Sequence, residues 1–185
     1  MQEWKAKKQT MLHYELQADI YDVQYMDEQK AKIEDILKFM KLEQRDRVLD
    51  LGCGTGFLFN HISEKVELLL GLDISQKALK LAKRRIKCLP NVHLVRADAD
   101  NMPFPDSIFD KVFAITVLQN MPDPKTTIKE IKRKCKPHSI FVVTGLKKKF
   151  TQKNYVSLLE NAQLQVISFH TNQQLKGYIA LCTKR

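Results

Sequence analysis

The chain has 185 residues, of which 44% are hydrophobic and 28% are charged, and its formal net charge is +10 at pH 7. This length and apolar content suffice for one hydrophobic core, so we expect a single folded domain and exclude a largely disordered protein. The apolar runs are far shorter than the roughly 20 residues of a membrane helix, and the first residues lack a secretory signal, so we predict a cytoplasmic protein that does not bind membranes. The four dispersed cysteines predict free thiols and no structural metal.

The first half of the chain alternates between helical and strand patterns. Apolar residues recur at helical spacing from Ile33 to Met40, and a short apolar strand follows at residues 48–51. The next predicted elements are a short helix at 57–65, a strand at 67–72, a helix that Ser75 caps and that runs to about residue 88, and a strand at 92–95.

The second half continues this alternation. Its predicted elements are a strand at 109–116, a helix from Asp123 to about residue 136, a strand at 140–144, a helix at 152–161, and strands at 164–169 and 178–182. This order predicts an α/β fold with a doubly wound, seven-stranded, mostly parallel sheet, helices on both faces and an antiparallel last strand. In such a sheet, ligands bind at the carboxyl ends of the strands.

The turn after the first predicted strand is the most informative part of the sequence. Residues 49–56 read LDLGCGTG, so that Asp50 stands two positions before a G-x-G-x-G run. Glycines at this place let the backbone turn sharply and approach a ligand closely, and the following helix directs N–H groups at it. The dinucleotide and P-loop patterns are both absent, since Phe57 replaces the required glycine and no Gly-Lys-Ser/Thr follows. A ligand with positive charge near Asp50 is favoured over one that presents a pyrophosphate.

From about residue 20 to residue 183, the chain resembles the class I S-adenosylmethionine-dependent methyltransferases, which have a Rossmann-like fold. The resemblance implies that S-adenosylmethionine is the cofactor and that the glycine turn binds it. The residues implied for this part of the site are Asp50, Gly52, Cys53, Gly54 and Gly56.

The resemblance extends to the next two strand ends. Asp73 ends the second strand, where the family's acidic residue accepts both ribose hydroxyls, and Ile74, which follows it, is a further candidate cofactor contact. Asp98 would accept a hydrogen bond from the adenine amino group, and the Ala99 N–H would donate to the ring. Each motif taken alone also fits an ordinary turn or helix cap. Their order at the ends of three consecutive strands is what favours a cofactor site.

The resemblance also divides the chain into two parts. Residues 1–28 are predicted as an N-terminal segment and a candidate lid over the cofactor site, and residues 29–185 as the methyltransferase domain. Tyr21, in the N-terminal segment, is a candidate cofactor contact. Thr116, at the end of the fourth strand, lies where the family supports the methionine part of the cofactor.

The sequence identifies no catalytic residue. The Asn/Asp-Pro-Pro-Tyr motif of many methyltransferases that act on amide or exocyclic nitrogens is absent after the fourth strand. Amine and ring-nitrogen acceptors need no general base, whereas hydroxyl acceptors usually do. The candidates at the rim are Tyr21, Tyr25, Gln119, Asn120 and, as a base, His13. A structural role is an equal alternative for the two tyrosines, and it is the favoured interpretation for the other three residues.

The positive charge is concentrated in residues 125–153, which contain ten Lys or Arg and one acidic residue. Lys147, Lys148 and Lys149 follow the fifth strand directly and should lie on the ligand-binding rim, where they favour RNA or another polyanionic acceptor. Lysine-rich helices also occur as plain solvated surfaces. We therefore expect a methyltransferase whose acceptor the sequence does not identify, with RNA or another polyanionic substrate favoured. The alternatives are a small-molecule methyltransferase and a cofactor-binding subunit that is active only with a partner protein.

Overall fold

A computed structural model describes residues 2–184 of the protein, without the side chains of Gln2, Glu3, Asp19, Tyr21 and Asp22. The helices are α1 (Gln2–Phe39), α2 (Phe59–Ile62), α3 (Gln76–Arg85), α4 (Pro124–Lys134) and α5 (Gln152–Asn161). The strands are β1 (Arg47–Leu51), β2 (Leu68–Asp73), β3 (Val92–Arg96), β4 (Phe109–Ala114), β5 (Cys135–Leu146), β6 (Leu164–His170) and β7 (Gly177–Lys184). Within residues 2–184, no helix combines the length and the apolar content that crossing a membrane requires.

The strands form one sheet with the order β3-β2-β1-β4-β5-β7-β6. Strands β1 to β5 pair in parallel, and β7 runs antiparallel to both β5 and β6. The predicted fold class is therefore confirmed, including the antiparallel last strand. The strand order reverses between β1 and β4, and a crevice at such a switch point is where open α/β sheets bind their ligands.

Both faces of the sheet are covered, which explains why its strands are almost continuously apolar. Successive residues of a strand point to opposite faces. Accordingly, Leu49 of β1 and Val112 of β4 belong to one hydrophobic core, whereas Val48 and Phe113 belong to the other. All four side chains are fully buried. The two cores fix the sheet between its helices and hold the carboxyl ends of β1 and β4 side by side.

Several elements differ in extent from the prediction. The short helix predicted at residues 57–65 is an α-helix only over Phe59–Ile62, and a 3-10 turn at Ser63–Lys65 follows it. The N-terminal helix α1 is continuous across the boundary that we predicted between residues 28 and 29, because residues 2–39 contain no glycine or proline to end it. Strand β4 ends at Ala114, before Thr116, whose φ of 65° is incompatible with a strand. Helix α4 ends at Lys134, and β5 begins at once instead of at residue 140.

Candidate cofactor-binding site

The turn between β1 and α2 forms one wall of a pocket at the carboxyl edge of the sheet. The N–H groups of Gly52 and Cys53 donate to the Leu72 carbonyl at 2.7 and 3.0 Å, which ties the turn to β2. Gly52 and Gly56 have φ values of 69° and 84°, a region that glycine enters without steric cost. A Cβ on Gly56 would also lie 2.4 Å from a ring carbon of Phe59. Conformation and space therefore both require glycine at position 56.

Asp73, at the end of β2, joins this turn to the next helix. Its Oδ2 accepts from the Gly54 N–H and its Oδ1 from the Ser75 N–H, both at 2.8 Å. Ser75 in turn caps α3, as predicted, because its Oγ accepts from the Ala78 N–H at 3.1 Å. Burial raises the pKa of Asp73 above its ordinary value, against the opposing effect of the backbone N–H groups. Each carboxylate oxygen can accept more than one hydrogen bond, so Asp73 can still bind donors on a ligand.

Asp50 lies beneath the turn and is almost completely buried. None of the hydrogen bonds formed by the described residues reaches its carboxyl group. Burial and the nearby Asp73 raise the pKa of Asp50 to about 8, so most of this group is protonated at pH 7. A cationic ligand group beside it would favour its ionised form. The chemistry of Asp50 therefore suits a ligand with positive charge, as the sequence pattern indicated.

Asp98 lies just beyond β3 and already has a partner in α1. The Lys7 Nζ is 2.7 Å from Asp98 Oδ2 and 2.5 Å from Asp100 Oδ2. Burial alone would lower the pKa of Lys7, but hydrogen bonds to the two carboxylates raise it overall. The side chain that the resemblance assigns to the adenine amino group thus binds a nitrogen donor of the protein itself.

Helix α1 crosses the carboxyl edge of the sheet above the pocket. Besides Lys7, its residues Thr10, Tyr14 and Ala18 line the pocket. The Tyr14 Oη accepts from the Asn120 Nδ2 at 2.8 Å, beyond the end of β4. The first half of α1 therefore spans the pocket from the end of β3 to the end of β4. Its function as a lid stays a prediction.

Most of the predicted site residues meet in this one pocket. Gly56 is not part of its wall and instead shapes the turn, and the side chain of Tyr21 lies outside the described part of the chain. Burial raises the pKa of the Cys53 thiol well above its ordinary value, which disfavours a nucleophilic thiolate. The nine predicted residues that line the pocket are Asp50, Gly52, Cys53, Gly54, Asp73, Ile74, Asp98, Ala99 and Thr116.

The sequence reasoning missed a buried lysine behind this pocket. Lys32 of α1 is 1% exposed, and its Nζ lies 3.1 Å from the Thr116 Oγ1. The available signal was its position one helical turn before Ile36, which places a lysine on the buried side of an amphipathic helix.

The rim candidates separate into distinct environments. Asn120 lines the pocket and donates to Tyr14 and to the Thr116 carbonyl. Gln119 points elsewhere, and its buried amide atoms have no hydrogen-bond partner among the described residues. His13 is exposed, so nothing in its surroundings marks it as a base.

The three consecutive lysines after β5 also differ in their hydrogen bonding and exposure. The Lys147 Nζ donates to the carbonyls of Asn172 and Leu175, each at 2.8 Å, and is therefore used within the fold. Lys148 and Lys149 are exposed. Of the three, Lys148 and Lys149 are therefore the side chains best placed to contact a phosphate.

Comparison with known proteins supports the interpretation of this pocket as the cofactor site of a methyltransferase. The chain is 35% identical over 142 residues to malonyl-[acyl-carrier protein] O-methyltransferase of Marinomonas sp. (strain MWYL1), which covers 76% of this chain and 52% of that protein. It is 36% identical over 110 residues to demethylmenaquinone methyltransferase of Staphylococcus saprophyticus, and this match covers 58% of this chain and 47% of that protein. The chain thus spans about half the length of these curated relatives.

The solved structures agree in fold. The DhpI–SAH complex superposes with a TM-score of 0.80 at 20% identity and covers 96% of both chains. The methyltransferase-domain family matches residues 49–143, from β1 to β5, which is just over half of the chain. This protein therefore belongs to the class I S-adenosylmethionine-dependent methyltransferase family.

Proposed function

We propose that the protein binds S-adenosylmethionine and transfers its methyl group to a small-molecule acceptor. The observation that carries the proposal is a set of three acidic residues, Asp50, Asp73 and Asp98, in one pocket at the ends of three neighbouring strands. Each differs in its hydrogen bonding and burial, so each can recognise a different part of one extended ligand.

The residues present fit this cofactor. Asp73 has lone pairs left for the two ribose hydroxyls, and Asp98 accepts from a nitrogen donor, as an adenine amino group requires. Asp50, buried without a hydrogen bond from the described residues, would gain a partner in a cationic group of the ligand. A Cβ built on Gly54 meets no atom within 4 Å, so there is open space beside the turn, where the cofactor would lie.

Catalysis would depend on positioning. When bound, S-adenosylmethionine supplies an electrophilic methyl carbon on a positively charged sulfur. The glycine turn and Asp73 would fix its orientation, and α1 would keep water out of the pocket. Holding an acceptor about 3 Å from the reacting carbon accounts for much of the barrier reduction in such transfers. An acceptor whose lone pair is already available needs no general base.

Two observations support a small acceptor over RNA. The curated relatives are named for a malonyl group on acyl-carrier protein and for demethylmenaquinone. In addition, Lys147 is bonded within the fold, so the basic cluster predicted to bind phosphates is smaller than its sequence indicates. RNA binding through Lys147, Lys148 and Lys149 stays a prediction, as does a requirement for an activating partner protein.

Isothermal titration calorimetry tests the cofactor. We expect micromolar binding of S-adenosylmethionine and S-adenosylhomocysteine and none of NAD or ATP. Asp73→Asn should weaken this binding at least tenfold, because it removes a charged acceptor. Asp110→Asn is the matched control, since Asp110 forms its hydrogen bonds with Lys136 and Arg47 outside the pocket. Binding of NAD or ATP, or equal affinity in the Asp73 variant, would contradict the proposal.

Methyl transfer from radiolabelled S-adenosylmethionine tests the acceptor class. Parallel assays with a small-metabolite extract and with total RNA should label the metabolite fraction. Labelled RNA would instead support the polyanion hypothesis. Cofactor binding without transfer to either fraction, followed by transfer on addition of cell extract, would identify a subunit that requires a partner.

A further inference from the structure

Thr116 has a backbone conformation that threonine rarely adopts. Its φ is 65°, and β-branched residues are strained in this left-handed region. The surroundings enforce it, since the Thr116 N–H donates to Thr144 Oγ1 at 2.7 Å and its carbonyl accepts from Asn120 Nδ2 at 2.9 Å. Strain that is held in this way is common at functional sites. Here it accompanies a side chain that lines the pocket.

A buried ammonium group lies directly behind that side chain. The Lys32 Nζ is 3.1 Å from Thr116 Oγ1 and 3.7 Å from a carboxylate oxygen of Glu28, one helical turn away. Burial lowers the pKa of Lys32 overall and the charge of Lys176 adds to this lowering, whereas the charge and the hydrogen bond of Glu28 partly offset it. Glu28 therefore favours the charged form of a lysine that burial alone would tend to neutralise.

The ammonium group fixes the direction of the Thr116 hydroxyl. A charged lysine has three N–H donors and no acceptor, so Thr116 Oγ1 must accept from Lys32. The hydroxyl proton then points away from Nζ. Across residues 2–184, no described side chain or carbonyl accepts it. Thr116 therefore presents a hydrogen-bond donor to the pocket, with a positive charge immediately behind it.

We propose that Thr116 and Lys32 form a subsite for an ionised oxygen of the methyl acceptor, a carboxylate or an enolate. The inference rests on the proposed function, since it concerns the second substrate of the same pocket. Hydrogen bonds from polarised donors to anionic oxygens are stronger than neutral ones, and a buried charge acts over a short distance at low dielectric. Lys32 is a positioning residue, because it acts on the acceptor through Thr116.

The distribution of charge in the pocket supports this placement. The three acidic residues lie at the ends of β1, β2 and β3, where they would repel an anion. Around the end of β4, the pocket is lined by Ile115, Thr116, Val117, Asn120 and Met121, none of which is acidic. An anionic acceptor is therefore best accommodated at Thr116, at the other end of the pocket from the predicted adenine site.

Matched pairs of probes test the subsite on the full-length protein saturated with S-adenosylhomocysteine. Monomethyl malonate carries one carboxylate and dimethyl malonate none; 2-hydroxy-1,4-naphthoquinone is ionised at neutral pH and its 2-methoxy ether is neutral. We expect calorimetry to show at least one anionic probe binding at least tenfold more tightly than its neutral counterpart.

Variants then assign that preference to the two residues. Lys32→Met and Thr116→Val should abolish it, whereas Thr116→Ser, which keeps the hydroxyl, should retain it. Lys38→Met is the control, because Lys38 lies on the same helix and pairs at the surface with Asp35. Binding of 5′-methylthioadenosine, which lacks the methionine carboxylate and amine that lie toward Thr116, should stay within twofold of wild type in every variant, which also shows that each is folded.

The possible failures are distinguishable. If the wild type does not bind S-adenosylhomocysteine, the proposed function itself is wrong. If the complex forms but binds neutral and anionic probes equally, or neither, the subsite does not exist. If Lys32→Met instead weakens S-adenosylhomocysteine tenfold and leaves 5′-methylthioadenosine unchanged, Lys32 serves the carboxylate of the cofactor, and the inference about the acceptor is wrong.

Discussion

Replacing Asp50 with asparagine should stabilise the ligand-free protein at neutral pH. The pKa of Asp50 is about 8 in the folded protein, against an ordinary value of 3.8. Between these values, the folded state holds a proton that the unfolded chain has released, so stability falls as the pH rises. At about 1.4 kcal/mol per pKa unit, the penalty is negligible below about pH 3 and reaches about 4 kcal/mol at pH 7.

Urea unfolding of wild type and Asp50→Asn measures this penalty. We expect the variant to gain about 4 kcal/mol at pH 7 and about 2 kcal/mol at pH 5, because the amide has no charge to lose. Asp110→Asn is the control and should show no gain, since the Asp110 carboxylate is paired with Lys136. A gain that does not change with pH, or a loss at both pH values, would refute the reasoning.

The same carboxyl group links cofactor binding to proton release. If a cationic group of S-adenosylmethionine ionises Asp50, binding at pH 7 releases about 0.9 proton. The binding enthalpy should then differ between phosphate and Tris buffers by about that fraction of their difference in ionisation enthalpy. In Asp50→Asn the two buffers should give equal enthalpies. Equal enthalpies in the wild type would show that Asp50 does not ionise on binding.

Four further substitutions test other parts of the site. Gly56→Ala should lower the free energy of unfolding by more than about 2 kcal/mol, whereas Gly54→Ala, whose Cβ would meet no neighbour, should lower it by about 1 kcal/mol. Equal losses in urea unfolding would show that the Phe59 ring moves aside at little cost. Lys7→Ala should tighten S-adenosylhomocysteine binding about fivefold in calorimetry, because the lysine competes for Asp98; weaker binding would argue against the adenine assignment. Asp73→Ala should weaken cofactor binding by roughly 1.5–3 kcal/mol, and an unchanged affinity would remove the ribose assignment.

The fold and the cofactor side of the pocket could be predicted because their signals are local. A buried strand, a glycine turn and a capped helix each occupy a few consecutive residues, and the parallel topology then brings Asp50 and Asp73 together without further information. Strand ends were less certain. The left-handed conformation of Thr116 depends on Thr144 and Asn120, which no local pattern reveals.

The contacts of α1 could not be predicted for the same reason. Lys7 and Asp98 are 91 positions apart, and Lys32 and Thr116 are 84 apart. The first half of α1 also lacks a simple apolar stripe, since Leu12, Leu16 and Ile20 are exposed while its inner face is largely polar. Such a helix is stabilised by the polar groups beneath it, so its position appears only in the folded structure.

The position of α1 has a consequence for how quickly ligands exchange. A ligand that reaches Asp98 competes with the Lys7 ammonium, and the rest of the helix is anchored by Ile33 and Ile36 in the core. The association rate should therefore follow the frequency with which the first turns of α1 open, instead of the rate of diffusional encounter. We expect it to depend strongly on temperature and to rise with salt, as the Lys7 ion pairs weaken. The residence time of a bound product should be set by the same opening.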